Sequence, residues 1–145
     1  SSKSEAVKEI IKINEASGDK TSLMEFYEKL HRQEPDNPIA LKGLGGVYFD
    51  MYEFLNAAEY YEKFLKLNTS DYEVYKNLGI CYEKLHRTAQ AKENYQKYLE
   101  KAPLTPETEK IKEKVSKMPD ASGNTKEAES EEEGFIDKIM RLFGR

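Results

Sequence analysis

Apolar side chains recur at steps of three and four residues through most of this chain, the spacing of one face of an α-helix. In residues 38–51 the recurring positions are Leu41, Leu44, Tyr48 and Met51. After a short break at Tyr52-Glu53, a second run places these residues on one side: Ala57, Tyr60, Tyr61, Phe64 and Leu65. The pattern predicts two helices joined by a turn. Asn37-Pro38 supplies the N-cap and the first helical residue of the first helix.

The same pattern returns 34 residues later, because residues 72–105 align with residues 38–71 without a gap. The matched pairs are Lys42 and Lys76, Leu44 and Leu78, Gly45 and Gly79, Tyr48 and Tyr82, Ala57 and Ala91, and Tyr61 and Tyr95. One helix pair cannot bury both of its faces, so units of this kind stack, and about three are the minimum for stability. The sequence therefore predicts stacked helix pairs.

The register extends backward to a first, more divergent unit over residues 4–37. Gly18-Asp19 falls where the turn between two helices is expected, 34 residues before the break in the next unit. Ser22-x-x-Glu25 has the spacing of a capping box and is a candidate start for the second helix of this unit. We therefore expect three helix pairs, over residues 4–37, 38–71 and 72–105.

Small residues recur where the two helices of a unit are expected to cross. In the second and third units they are Gly45, Gly79, Ala57 and Ala91. We expect each glycine to lie against the alanine of its partner helix, because a residue without Cβ allows close approach. The corresponding residues of the first unit are Ile11 and Leu23. Their bulk predicts a looser first pair.

The repeat ends before Pro106, and a single further helix is predicted over residues 106–118. Thr105-Pro106-Glu107 is a typical helix start. A narrow apolar stripe follows, at Ile111, Val115 and Met118. One apolar side and otherwise polar surroundings are what a terminal capping helix of a repeat array needs.

The last 27 residues divide into two segments of different character. Residues 119–133 have almost nothing to bury and are predicted to be a disordered acidic linker. Residues 134–145 are predicted to be an amphipathic C-terminal helix. Its apolar side consists of Phe135, Ile136, Ile139, Met140, Leu142 and Phe143.

Charge and composition exclude several classes of function. Residues 119–145 carry −3 of the net charge of −4, so the remaining body is nearly neutral and lacks the basic stripe that nucleic acid binding needs. No apolar run reaches the ~18–20 residues that cross a bilayer, and no signal peptide is evident. The chain has one cysteine, which rules out an internal disulfide and favours a reducing compartment. We therefore expect a cytoplasmic protein.

Three residues have side chains that often perform chemistry, but their surroundings predict structural roles. Cys81 lies among apolar residues of a helix, which predicts a place in the core. His31 and His86 have no Cys or His nearby at ligand spacing, so no metal site is predicted. The sequence contains no catalytic or phosphate-binding motif. We expect no cofactor and no enzymatic activity.

The repeat resembles the tetratricopeptide repeat family, whose signature has an aromatic residue, Leu-Gly, Tyr, Ala, a second aromatic and Pro at fixed spacing. The third unit matches it at Tyr75, Leu78, Gly79, Tyr82, Ala91, Tyr95 and Pro103. In the second unit Leu41 replaces the aromatic residue and Thr69 the proline. The resemblance implies an all-α, right-handed superhelix of three helix pairs plus a capping helix, spanning residues 4–118. It also implies a protein-interaction module, a scaffold or adaptor, that binds a peptide or protein segment in its concave groove.

In the family, the groove is formed mainly by the first helix of each repeat. Carried over by register, it comprises Lys8, Lys12, Ile39, Lys42, Gly43, Gly46, Phe49, Lys76, Asn77 and Ile80. The four lysines form a row beside the apolar pair Phe49 and Ile80. Such a surface favours a peptide with acidic and apolar side chains. The alternative is that the lysines only solvate an exposed face.

One subclass of the family grips the terminal carboxylate of a chaperone tail with five conserved positions. Lys8 matches that set, but Lys12, Gly43, Glu73 and Asn77 stand at the other four positions. Glu73 would repel a carboxylate, so binding of a chaperone tail is not expected.

The amphipathic segment, residues 134–145, leaves three uses open. It could dock in the groove of its own chain or of a second copy, which would make the chain a self-assembling structural protein. It could hold the chain at a membrane surface, although Glu131 to Glu133 offset the attraction of its three basic residues for anionic lipid. The remaining alternative is that it packs on its own domain as a last helix.

Overall fold

The computed structural model of the chain describes residues 2–119 and 141–142, and within them it contains seven α-helices and no strand. The helices are α1 (Ser2–Ser17), α2 (Lys20–Gln33), α3 (Pro38–Asp50), α4 (Phe54–Leu67), α5 (Tyr72–Lys84), α6 (Thr88–Lys101) and α7 (Pro106–Ser116). Consecutive helices pack in antiparallel pairs, α1 with α2, α3 with α4 and α5 with α6. The predicted all-α superhelix of three helix pairs is confirmed.

Helix caps match the sequence at two of the three predicted starts. The Asn37 side chain accepts hydrogen bonds from the backbone N–H groups of Ile39 and Ala40, and Pro38 is the first helical residue. Thr105 caps α7 in the same way. The capping box at Ser22 was wrong, because α2 begins earlier and the Asp19 carboxylate caps it. An aspartate directly after the turn glycine competes successfully with the later serine for these N–H groups.

The turn inside each unit is set by one residue in the left-handed region. Gly18, Tyr52 and His86 lie 34 residues apart and have φ values of 69°, 61° and 58°. Tyr52 and His86 carry a Cβ, which makes this conformation unfavourable, so the packing of the flanking helices imposes it. The conserved geometry confirms that the predicted register holds through all three units.

The atoms nearest to the two core glycines belong to tyrosine rings of the partner helices. A Cβ on Gly45 would lie 2.5 Å from Cδ1 of Tyr61, and a Cβ on Gly79 would lie 2.7 Å from Cδ1 of Tyr95. Each glycine therefore accommodates an aromatic ring of its partner helix, four residues beyond the expected alanine. The alanines Ala57 and Ala91 are fully buried in the same interface.

The first unit is open, as the bulk of Ile11 predicted. None of residues 5–17 of α1 is buried, and Ile10 and Ile13 expose much of their side chains. Ile11 occupies the position of the glycine in later units and packs against the cluster that contains Tyr27 of α2. The Tyr27 ring packs on Gly43 of the following unit.

The other end of the stack is closed by α7. Val115 and Met118 are buried against the core formed by the third unit, and Ile111 packs beside them. This is the predicted apolar stripe of the capping helix. In the ranges 2–119 and 141–142, no helix is both long and apolar enough to cross a bilayer.

Candidate functional site

A cavity of about 620 Å³ lies on the side of the stack formed by α1, α3 and the start of α5, and we call it the hollow. The C-terminal half of α1 and the following turn form one wall, and α2 contributes Leu23 and Tyr27. The central wall is α3. Tyr61 of α4 and the start of α5 complete the lining.

The floor of the hollow consists of four aliphatic residues and two tyrosines. It is formed by Leu23, Tyr27, Ile39, Val47, Tyr61 and Val74. Burial, together with the nearby Glu15 carboxylate, raises the pKa of Tyr27 to about 12. Burial also raises the pKa of Tyr61, whose hydroxyl accepts a hydrogen bond from the Asn77 amide at 3.4 Å. Both phenols are therefore neutral near pH 7.

Carboxylates outnumber ammonium groups around this floor. The acidic lining residues are Glu15, Asp19, Asp50 and Glu73, and the basic ones are Lys20 and Lys42. Hydrogen bonds from the Ser22 side chain and backbone lower the pKa of Asp19, so it stays charged in mildly acidic solution. The hollow therefore presents net negative charge around an apolar floor.

Two of the predicted groove lysines are ion-paired. Lys42 Nζ lies 2.7 Å from Oδ2 of Asp71, the N-cap residue of α5. Lys76 Nζ lies 2.8 Å from Glu73 and 3.0 Å from Glu107 of α7. Each lysine thus links two elements of the stack. Lys42 links α3 to the start of α5, and Lys76 links α5 to the start of α7. The structure places these charges at joints between units, where carboxylates already neutralise them.

The predicted groove residues divide into two groups. Ile39, Lys42, Gly43, Gly46 and Asn77 line the hollow. Lys8 and Lys12 are exposed on α1 outside its lining. Phe49 packs against the rings of Phe54 and Tyr61, and Ile80 is partly buried against the core. Lys76 also lies outside the lining. The structure thus places the predicted α3 residues other than Phe49, together with Asn77, around the hollow and leaves the other five predicted residues outside its lining.

Two adjacent positions on α3 have opposite surroundings. A Cβ on Gly45 would meet the Tyr61 ring, whereas a Cβ on Gly46 would meet nothing closer than the Tyr61 hydroxyl at 3.9 Å. Gly46 therefore leaves open space at the centre of the hollow. The first glycine serves helix packing and the second leaves room for a bound group.

The lining residues that lie outside the first helix of each unit were not predicted from the sequence. Tyr27 and Leu23 belong to α2, and Asp19 belongs to the turn before it. The replacement of glycine by Ile11 indicated that the first pair is open. It did not reveal that the Tyr27 ring would turn toward Gly43 and become part of the floor.

Cys81 and His31, whose side chains often take part in catalysis or metal binding, are packed against other side chains. Cys81 is fully buried, as predicted, and burial raises the pKa of its thiol to about 12. The His31 ring meets the Tyr60 ring edge to face. In the described part of the chain, no group of three His, Cys, Asp or Glu residues is arranged to hold a metal ion.

Five of the six apolar residues predicted for tail docking lie outside the described residues. They are Phe135, Ile136, Ile139, Met140 and Phe143. The sixth, Leu142, is helical and 71% exposed. The predicted acidic linker also lies outside the described residues, apart from Pro119 at its start.

Comparison with known proteins gives one family match and several structural neighbours. Residues 60–93 match the model of the tetratricopeptide repeat. This window begins in α4 and ends in α6, so it contains the whole of α5. No curated protein matches the chain by sequence.

The solved structures that resemble the chain are themselves repeat proteins, and their sequence identity to this chain is low. The first tetratricopeptide domain of Spaghetti (RPAP3), bound to the HSP90 peptide SRMEEVD, has a TM-score of 0.66 and 24% identity over 80% of this chain and 95% of its own. MamA has a TM-score of 0.65 and 21% identity over 77% of this chain, which spans 63% of the MamA chain.

A third neighbour is a secretion protein. The Yersinia enterocolitica type III secretion chaperone SycD, in complex with a peptide of the translocator YopD, has a TM-score of 0.65 and 16% identity over 80% of this chain and 88% of its own. At such identities these neighbours establish the shared fold. Residues 60–93 thus match a tetratricopeptide repeat, and the described chain shares the superhelical fold of these neighbours.

Proposed function

We propose that the chain is a protein-interaction module that binds a segment of a partner protein in the hollow, and that the segment carries apolar side chains next to lysine or arginine. The observation that carries this proposal is the ring of four carboxylates around the apolar floor. Lysine and arginine of a partner would meet these carboxylates, and its apolar side chains would cover the floor.

The size of the hollow supports a short recognition segment. A volume of about 620 Å³ lies within the ~300–1,000 Å³ range of pockets that enclose small ligands. Such a volume takes a few side chains of a peptide, and the remaining contacts would lie along the exposed inner faces of α3 and α5. Burial of each large apolar side chain contributes about 1.5–3 kcal/mol before ordering costs, so two or three such anchors suffice for moderate affinity.

The charge preference differs from the one that the lysine row suggested. Lys42 and Lys76 are paired with Asp71, Glu73 and Glu107, so a bound acidic peptide would have to displace internal carboxylates. Glu73 itself lines the hollow, which also disfavours a terminal carboxylate there. A basic segment could meet Glu15, Asp19 and Asp50 and leave the Lys42–Asp71 and Lys76–Glu107 pairs in place, whereas Glu73 is already paired with Lys76.

Two structural neighbours support peptide binding as the general role. Spaghetti (RPAP3) was solved with an HSP90 peptide and SycD with a peptide of YopD. They share the superhelical fold of this chain, whose inner side offers a comparable place for a peptide. The scaffold therefore suits binding, and the hollow supplies the selectivity.

The test uses the full chain and two synthetic peptides of equal length, one that alternates leucine with lysine and one that alternates leucine with glutamate. We expect fluorescence anisotropy to show at least tenfold tighter binding of the lysine peptide, weakening as salt rises because the charges at the rim are exposed. Equal affinity for the two peptides, or preference for the glutamate peptide, would refute the charge assignment.

A matched pair of variants tests the location. Gly46→Leu would fill the centre of the hollow and is expected to reduce binding by about tenfold or more, because the leucine side chain takes the space of an anchor. Gly46→Ala adds a methyl group in the same open place and serves as the control for the change in helix propensity. If Gly46→Leu binds like the wild type, the peptide does not occupy the hollow.

A further inference from the structure

The hollow has a candidate occupant in the chain itself. We infer that residues 134–145 of the same chain occupy the hollow when no partner is bound, so that the tail competes with a partner for the site. This inference rests on the proposed function, because it assigns the resident ligand of the same hollow. The structure contributes the shape and charge of the hollow, and the sequence contributes the chemistry of the tail.

The chemistry of the tail complements that of the hollow. The sequence pattern predicts six large apolar residues on one helical side and Lys138, Arg141 and Arg145, with a single acid, Asp137, on the other. The hollow offers an apolar floor with four carboxylates around it. Leu142 is 71% exposed, so its side chain still has apolar area to bury. The tail therefore has the composition that the proposed function requires of a partner segment.

The linker is long enough for an intramolecular contact. Residues 120–133 provide 14 residues, which span at most about 46–50 Å when extended. The capping helix α7 ends at Ser116, and three further helices, α6, α5 and α4, separate it in chain order from α3 at the centre of the hollow. Because packed helices lie about 8–10 Å apart, the distance to cover is about 40 Å or less.

Tethering makes even a weak contact effective. A tether of this length gives an effective concentration on the order of 1 mM. A tail segment that binds with a Kd of about 0.1 mM would then occupy the hollow most of the time. It would weaken the apparent affinity of a partner about tenfold, because the partner binds only the fraction of molecules whose hollow is empty.

The direct test is paramagnetic broadening in the full chain. A nitroxide is attached at Gly144→Cys in a Cys81→Ala background, which leaves that position as the chain's single thiol. We expect the amide signals of Leu23, Gly43 and Gly46 to broaden, whereas those of Leu99 and Glu100 on the far side of α6 do not. Broadening that is uniform or confined to α7 would overturn the inference.

Dilution separates the two ways of filling the hollow. An intramolecular contact keeps its broadening when the labelled chain is mixed with an excess of unlabelled chain, and sedimentation shows a monomer. Broadening that disappears on mixing assigns the contact to a second copy and overturns the proposal for the same chain. Co-sedimentation with anionic vesicles together with absent broadening would assign the tail to a membrane surface instead.

Charge reversal in the tail distinguishes this inference from the proposed function. The double variant Lys138→Glu, Arg141→Glu is expected to abolish the broadening and to tighten binding of the leucine–lysine peptide about tenfold. The matched control Asp137→Asn removes the single acid of the tail and should strengthen the broadening. If the peptide binds the wild type and the charge-reversed variant equally, the tail does not occupy the hollow but the hollow remains a peptide site. If neither chain binds the peptide, the proposed function itself fails.

Discussion

The ring of Tyr61 lies directly against the backbone of Gly45, so that a Cβ on this glycine would be 2.5 Å from ring atom Cδ1. The ring is 2% exposed and cannot swing away into solvent. The next residue, Gly46, faces the open centre of the hollow. We therefore predict that the same substitution has opposite effects on stability at these two neighbouring glycines.

Gly45→Ala is expected to destabilise the fold and Gly46→Ala to stabilise it. Forcing a methyl group against the Tyr61 ring should lower the free energy of unfolding by about 1–3 kcal/mol. At Gly46 the methyl group contacts no side chain closely, and the better helix propensity of alanine should raise the free energy of unfolding by about 0.5–1 kcal/mol. Urea unfolding of both variants measures the difference. Equal effects at the two positions would contradict the assigned packing.

Tyr52 offers a second stability test, because it has a φ of 61° while its side chain is 80% exposed. Tyr52→Gly removes a left-handed strain of about 1–2 kcal/mol and adds a smaller entropic cost in the unfolded chain. We expect a net gain of about 0.5–1 kcal/mol in thermal or urea unfolding. Tyr52→Ala keeps the strained conformation and is the control, since it should show no such gain.

We expect the buried Cys81 thiol to make the fold less stable at alkaline pH. Its pKa is raised by burial from 9.0 to about 12, so the unfolded chain releases the proton at lower pH than the folded chain. Its contribution is therefore fully present below about pH 9 and is lost as pH rises toward 12. We expect the free energy of unfolding to fall between pH 9 and pH 10 by up to ~1.4 kcal/mol from this group. Cys81→Ala should fall less over the same interval, and an identical slope would exclude the thiol as the cause.

Lys76 links α5 to the capping helix through Glu107. Burial opposes its charge, but hydrogen bonds to Glu73 and Glu107 outweigh that effect and raise the pKa of Lys76. Lys76→Met should lower the free energy of unfolding by less than about 1 kcal/mol, because Glu107 is half exposed.

The clearer readout of Lys76→Met is amide exchange, which should become faster in α7 than in α5. Lys63→Met is the matched control, since Lys63 pairs with Glu59 inside a single helix. A change in α7 exchange of equal size in both variants would show that Lys76 does not hold the cap.

Much of the fold follows from local features of the chain. The 34-residue period, the N-caps Asn37 and Thr105, and the apolar stripe of α7 each depend on contacts within a few residues or on a strict repeat. The bulk of Ile11 also predicted that the first helix pair would be open. These features could be inferred because helix periodicity and capping operate over short stretches of sequence.

The charge of the site could not be inferred in the same way. Lys42 has no carboxylate at helical spacing, since its partner Asp71 lies 29 residues further along the chain, and Lys76 has Glu73 three residues away but its second partner, Glu107, 31 residues further. Only the stacking of one unit on the next brings Asp71 and Glu107 to these lysines. The charge of a site depends on partners from several helices. The sequence therefore suggested a basic groove, whereas the hollow in the fold is lined by more acidic than basic residues.

By itself the sequence determined the repeat, the register and the helices, because each of these depends on residues close together or at a constant spacing. The tertiary structure decided which ring each glycine receives and where the open space lies. Tyr27 of α2 lies against Gly43 of α3, and Ile11 of α1 packs on the same cluster, so this arrangement involves three helices at once. Side-chain packing between units is a property of the assembled stack, and no single repeat contains it.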